Sequence, residues 1–94
     1  MLDAKLARKV DSRLSRIEGQ TRGIRKMVEG GRYCVDVLDQ IAAVRAALGA
    51  VAQVVIRNHI GICVTSALAS PDRHDREEKI NELVELYPRF CRGG

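Results

Sequence analysis

An all-α fold is the expectation for this 94-residue chain, and three observations carry it. Apolar residues recur at spacings of three, four and seven through most of its length. Aromatics are scarce, with Tyr33, Tyr87 and Phe90 and no Trp. A core must then come from Leu, Val, Ile and Ala, which suits helix-on-helix packing better than a sheet. The two prolines, Pro71 and Pro88, both lie in the last quarter, so the first seventy residues are free of the strongest helix breaker. A chain of this length makes a single domain, residues 1–94, with a modest core and an incentive to self-associate.

The first helix is expected over about residues 4–29. Leu6, Val10, Leu14, Ile17, Ile24 and Val28 form one apolar stripe. Lys5, Arg8, Lys9, Arg13 and Arg16 gather beside that stripe, at about 100° per residue, over less than half the circumference. The helix therefore has a burying face and a basic face. Gly19 and Gly23 share one side, where a neighbouring backbone has room to approach. Gly30-Gly31 supplies the C-terminal cap.

The second helix is expected from about Tyr33 to Ala69. From Ile41 to Ile56 it is apolar on nearly every side, apart from Arg45, Gln53 and the neutral Gly49. A helix apolar all round must be buried all round. A hairpin core within one chain is one solution, but a single partner helix covers only one side. The fuller solution is a bundle to which each of two chains contributes a hairpin. Ser70-Pro71-Asp72 interrupts the pattern, and a third helix follows from about Arg73 to Tyr87. Ile80, Leu83, Val84 and Tyr87 form its stripe, and Pro88 is expected to stop it.

The net charge of +4 is unevenly spread. Residues 1–32 hold nine Lys or Arg against four acidic residues, while the remainder holds seven against eight. The opening residues lack the apolar run and cleavage site of a secretory signal. Arg57, Asn58 and His59 interrupt the one long hydrophobic region, so no stretch is expected to reach the length of a membrane span. A cytoplasmic protein with no membrane partner is the expectation. In a reducing compartment, three cysteines favour metal binding or redox sensing over structural disulfides.

Cys34, His59 and Cys63 carry the chemistry. His59 and Cys63 are four residues apart and point the same way on a helix. Cys34 lies 25 positions before His59, a gap of about 37 Å on one helix at roughly 1.5 Å per residue. No ion bridges that distance, so a three-ligand site needs Cys34 from a second copy. In an antiparallel pair of identical helices the start of one meets the far part of the other, and the three residues converge twice per dimer. At the start of its helix the Cys34 thiolate is favoured by the helix dipole and by nearby Arg32. Two thiolates and one imidazole suit Cu(I) in a three-coordinate site, or Zn(II) if a fourth ligand joins. Taken singly, each residue reads better as an ordinary core side chain than as a ligand; their placement together raises the ligand reading. Cys91, near the C-terminus, reads as incidental and His74 as a solvated surface residue.

Three segments in order, RLSRIEGQTRGIRKMVE (Arg13–Glu29), RYCVDVLDQIAAVRAAL (Arg32–Leu48) and NHIGIC (Asn58–Cys63), closely resemble the CsoR-type copper-sensing transcriptional repressors. The wider family includes nickel/cobalt, formaldehyde and persulfide sensors. The resemblance covers about residues 5–87 and implies an all-helical, three-helix protomer, an antiparallel dimer forming a four-helix bundle with appended third helices, and a dimer of dimers, a homotetramer. It implies binding of double-stranded operator DNA without a helix-turn-helix, weakened when Cu(I) binds, so that copper export genes are released. It also implies Cys34 of one protomer with His59 and Cys63 of the other as Cu(I) ligands. Tyr33 and Glu82, the latter in the INEL segment (Ile80–Leu83), resemble the outer pair that couples the metal to DNA. Lys5, Lys9, Arg13 and Arg16 are the expected DNA contacts, on the basic face read above, and Arg13 and Arg16 fall within the matching segment.

The choice of inducer rests on His59. Nickel/cobalt members usually add a histidine near the N-terminus, which this chain lacks, and formaldehyde-responsive members usually lack the cysteine at position 63. Persulfide sensors usually keep both cysteines and replace the histidine. Copper is therefore the expected inducer, with persulfide or polysulfide sensing through Cys34 and Cys63 as the alternative. A metal-storage or chaperone protein would use the same ligands without needing the basic face. An enzyme is not expected, since Cys34 has no helical His neighbour to act as base.

Overall fold

The computed structural model describes residues 2–90, the side chain of Cys63 excepted. These residues form three helices and no strand: α1 (Ala4–Glu29), α2 (Cys34–Ala69) and α3 (Arg73–Phe90). The all-α, three-helix expectation holds. Cys91 lies outside the described residues.

Each helix end has a local cause. Asp3 is extended and its carboxylate accepts the Leu6 N–H at 2.8 Å, capping α1. At the other end the Arg32 N–H reaches the Met27 carbonyl at 2.9 Å and the Gly31 N–H reaches Val28 at 3.2 Å. This pair of bonds makes a Schellman cap, and it places Gly31 at φ +69°, a conformation costly for any residue with a Cβ. α2 begins one residue later than expected, because Tyr33 serves as its cap: the Tyr33 carbonyl accepts from Val37 at 3.2 Å. Before α3, Ser70 Oγ accepts the Asp72 N–H at 3.2 Å and Asp72 Oδ1 accepts the His74 N–H at 3.0 Å.

Pro88 does not stop α3, contrary to expectation; the helix runs on through it to Phe90. A proline in the last turn removes one intrahelical bond and leaves the turns before it intact. The Gln53 side-chain amide donates to the Phe90 carbonyl, one of the end-of-helix acceptors that the helix cannot satisfy itself.

By packing, the chain divides into two compact units, Leu2–Val51 and the residues from Ala52 onward. In the first unit, α1 turns Leu6, Val10, Ile17 and Ile24 inward, with Ile17 buried and the other three half-buried. Leu14 and Val28, expected on the same stripe, remain exposed. Among the described residues, no backbone beyond that of α1 itself comes within 4 Å of the place a Cβ would take on Gly19 or Gly23. In the second unit, Leu83 and Leu86 of α3 are half-buried beside Arg76 and Lys79. The expected stripe is thus corrected: Ile80, Val84 and Tyr87 face outward. The apolar arc of α3 is wider than one neighbour can cover, and register selected its Leu83–Leu86 side.

The apolar girth of α2 is met only in part. Val51, Ile56 and Ala67 are buried, whereas Leu38, Ile41, Leu48, Val55 and Ile62 are exposed. Four of these, Ile41, Leu48, Val55 and Ile62, recur every seven residues, the period of a helix–helix seam. By length and composition alone α2 is long and apolar enough to cross a membrane. The expectation that no stretch reaches that length is therefore corrected: Arg45 and Arg57 are too few and too far apart to break the apolar average.

Candidate metal centre and basic face

His59 sits on the second-unit part of α2, and its Nε2 meets Glu82 Oε1 of α3 at 2.8 Å, with both side chains partly exposed. A carboxylate held against one ring nitrogen restrains the orientation of the imidazole. The pair stands at the edge of an apolar hollow of about 410 Å³ lined by Ala52, Val55, Ile56, Leu86 and Phe90. Cys63 follows His59 by one turn of the α2 backbone.

Cys34 belongs to the other unit. It is the first residue of α2, and its thiol is free and exposed. The adjacent Tyr33 is also exposed. Arg32, expected to favour the thiolate, lies 3.7 Å from the Asp36 carboxylate. Among the described residues no three His, Cys, Asp or Glu side chains gather closely enough to hold a metal ion. The chain thus brings together His59 and Glu82, and it presents Tyr33 and Cys34 separately.

The donor types fit a soft ion. An exposed thiol and an imidazole buttressed by a carboxylate are what a Cu(I) or Zn(II) site draws upon. Gln53 does not stand out in the sequence, although a lone amide in an apolar run is a signal that it needs a partner.

Lys5, Lys9, Arg13 and Arg16 are all exposed on α1. None of the eight Lys or Arg residues of α1 forms an ion pair or a side-chain hydrogen bond among the described residues, although Asp11, Glu18 and Glu29 share the helix. An array of cations left without carboxylates suits a polyanion. His74, expected to be a solvated surface residue, is indeed exposed and contacts Glu78 at 3.2 Å.

Comparison with known proteins gives the site its setting. Residues 7–89 match the family model described as metal-sensitive transcriptional repressor. The chain is 46% identical over 83 residues to the copper-sensing transcriptional repressor CsoR of Bacillus subtilis, covering 88% of this chain and 79% of that protein. Its structure is similar to that of the Cu(I)-bound copper-sensing repressor CsoR from Geobacillus thermodenitrificans, with TM-score 0.81 and 36% identity over 98% of this chain and 93% of that one. It is also similar to the nickel-responsive transcriptional regulator InrS, with TM-score 0.74 and 43% identity over 88% and 90% of the two chains. The chain belongs to the metal-sensitive transcriptional repressors.

Proposed function

We propose that this protein is a copper-sensing repressor, a single sensor and DNA-binding domain over its 94 residues. It binds Cu(I) between Cys34 of one protomer and His59 with Cys63 of its partner, and then releases operator DNA and derepresses copper export or resistance genes. The observation that carries this reading is the His59 Nε2–Glu82 Oε1 contact at 2.8 Å. It orients the imidazole and ties the ligand residue to α3. Ligation across the protomer interface links the start of one α2 to the far part of its partner's α2. Movement at His59 is transmitted to α3 through Glu82, and Tyr33 stands beside Cys34 at the other end of the link.

Assembly follows from α2. Its exposed apolar row suits burial against an antiparallel second copy, giving a four-helix bundle and then a dimer of dimers. In the cytoplasm that partner, rather than lipid, covers the helix. Four α1 faces then offer Lys5, Lys9, Arg13 and Arg16 to duplex phosphates. A metal-storage or chaperone role would leave these unpaired cations without a use, and no catalytic role is needed.

Fluorescence anisotropy on the operator, with and without one Cu(I) per protomer, tests the proposal. A coupling of about 1–3 kcal/mol appears as a 5- to 150-fold weaker affinity with metal. An affinity unchanged through the titration would sink it. The same assay with Ni(II) and Zn(II) ranks the metals. The exposed free thiol of Cys34 also supports persulfide or polysulfide sensing as a second reading. In that case polysulfide releases DNA where Cu(I) does not, and mass spectrometry finds a Cys34–Cys63 cross-link between protomers.

A further inference from the structure

The basic face of α1 is not uniform. Where α1 passes α2 in the first unit, a hollow of about 290 Å³ is lined by Ser12, Arg13, Arg16, Ile17 and Ala47. Three of the five are hydrogen-bond donors, no carboxylate lines the hollow, and neither guanidinium has a partner among the described residues. Ala47 is the sole contribution from α2, and its methyl group leaves the space open. We propose that this hollow is a seat for one backbone phosphate of duplex DNA, with Ser12 as its third donor and Ala47 as the residue that keeps it open. The inference deepens the repressor reading and rests on it.

The chemistry suits a phosphodiester. Two guanidiniums offer planar forks that match phosphate oxygens, and a hydroxyl one turn before Arg16 adds a short neutral donor. Lys5 and Lys9 precede Arg13 at steps of four residues, about 6 Å along the helix each. They extend a cationic track to the seat. The exposed cations of the track attract the polyanion from a distance, whereas a concave site between two helices fixes its register. Seats of this kind position the protein on the duplex and do not read bases. Their loss weakens operator and unrelated duplex alike.

The test uses the full-length assembled protein and anisotropy on operator and unrelated duplexes across a salt series. Ala47→Leu fills the seat from α2 without altering any charge; the expected result is about tenfold weaker binding to both duplexes and a shallower salt slope. Ser12→Ala is expected to weaken binding about threefold. Ser12→Asp places a carboxylate one turn from Arg16 and is expected to cost about 100-fold. Circular dichroism and sedimentation confirm that each variant folds and assembles. Wild-type affinity in correctly assembled Ala47→Leu and Ser12→Ala proteins overturns the seat while leaving the repressor reading intact. Failure of the wild-type protein to bind operator overturns both. In a second arm, inorganic phosphate is titrated at constant ionic strength and followed by the Ser12 and Ala47 amide resonances. If those amides shift while DNA affinity is insensitive to Ala47→Leu, the seat serves a free anion and the proposal fails.

Discussion

α1 and α3 are both amphipathic and rich in charge, yet they use their cations in opposite ways. α1 carries eight Lys or Arg and three acidic residues, and none of the cations is paired within the described residues. α3 carries four and five, and most of its cations are engaged. Arg73 meets Glu77 at 3.2 Å, Arg76 donates to the Ser70 carbonyl at 2.9 Å, and Arg89 lies over the Phe90 ring. The difference lies in number more than in spacing, since Glu18 and Arg22, and Arg25 and Glu29, of α1 also stand four residues apart. In α3, Glu77 and Glu78 follow Arg73 and His74 by four residues, the distance at which side chains meet on a helix. In α1 the carboxylates are too few for the cations around them. A helix whose charges satisfy one another is a structural surface, whereas a helix whose charges do not is built for something outside the chain.

The largest expected effect tests that contrast directly. Arg13→Ala with Arg16→Ala should weaken operator binding by about 100-fold or more and flatten its salt dependence. Arg73→Ala with Arg76→Ala should leave affinity within about twofold in the same anisotropy assay. Equal losses from the two pairs would erase the distinction between the helices.

Next in size is the one α3 carboxylate that faces the candidate centre. Glu82→Gln keeps the shape but loses the charge holding His59 Nε2. The expected outcome is near-wild-type DNA affinity without metal and a roughly tenfold smaller response to Cu(I). If the response survives intact, α3 plays no part in signalling. A smaller effect is expected at the end of α1: Gly31→Ala forces a Cβ into φ +69° and should cost about 1 kcal/mol in urea denaturation at fixed protomer concentration. The smallest belongs to α3. Glu77→Ala removes an exposed pair and should change stability by less than about 0.5 kcal/mol.

Much of the contrast between α1 and α3 is legible in the order of residues along the chain. The α1 limits follow from the Gly30-Gly31 pair and the apolar period, and the basic face follows from the angular positions of Lys5, Lys9, Arg13 and Arg16. Pro88 departs from expectation because proline's cost depends on which turn it occupies. Ile80, Val84 and Tyr87 depart from it because two apolar sides of α3 compete for one neighbour. The apolar reach of α2 exceeds expectation, since Arg57, Asn58 and His59 are a local interruption in a 36-residue helix.

Helix number, the ends of α1 and the charge distribution were determined by the sequence alone, because each depends on residues within a turn or two of one another. The Gln53 contact with Phe90, the hollow against Ala47 and the choice of the inward side of α3 were decided only by tertiary structure. Family resemblance points to Glu82, but its contact with His59 likewise depends on how α3 lies against α2. Such contacts depend on the register between two helices, and a periodicity along one helix holds no information about which turn of another it meets.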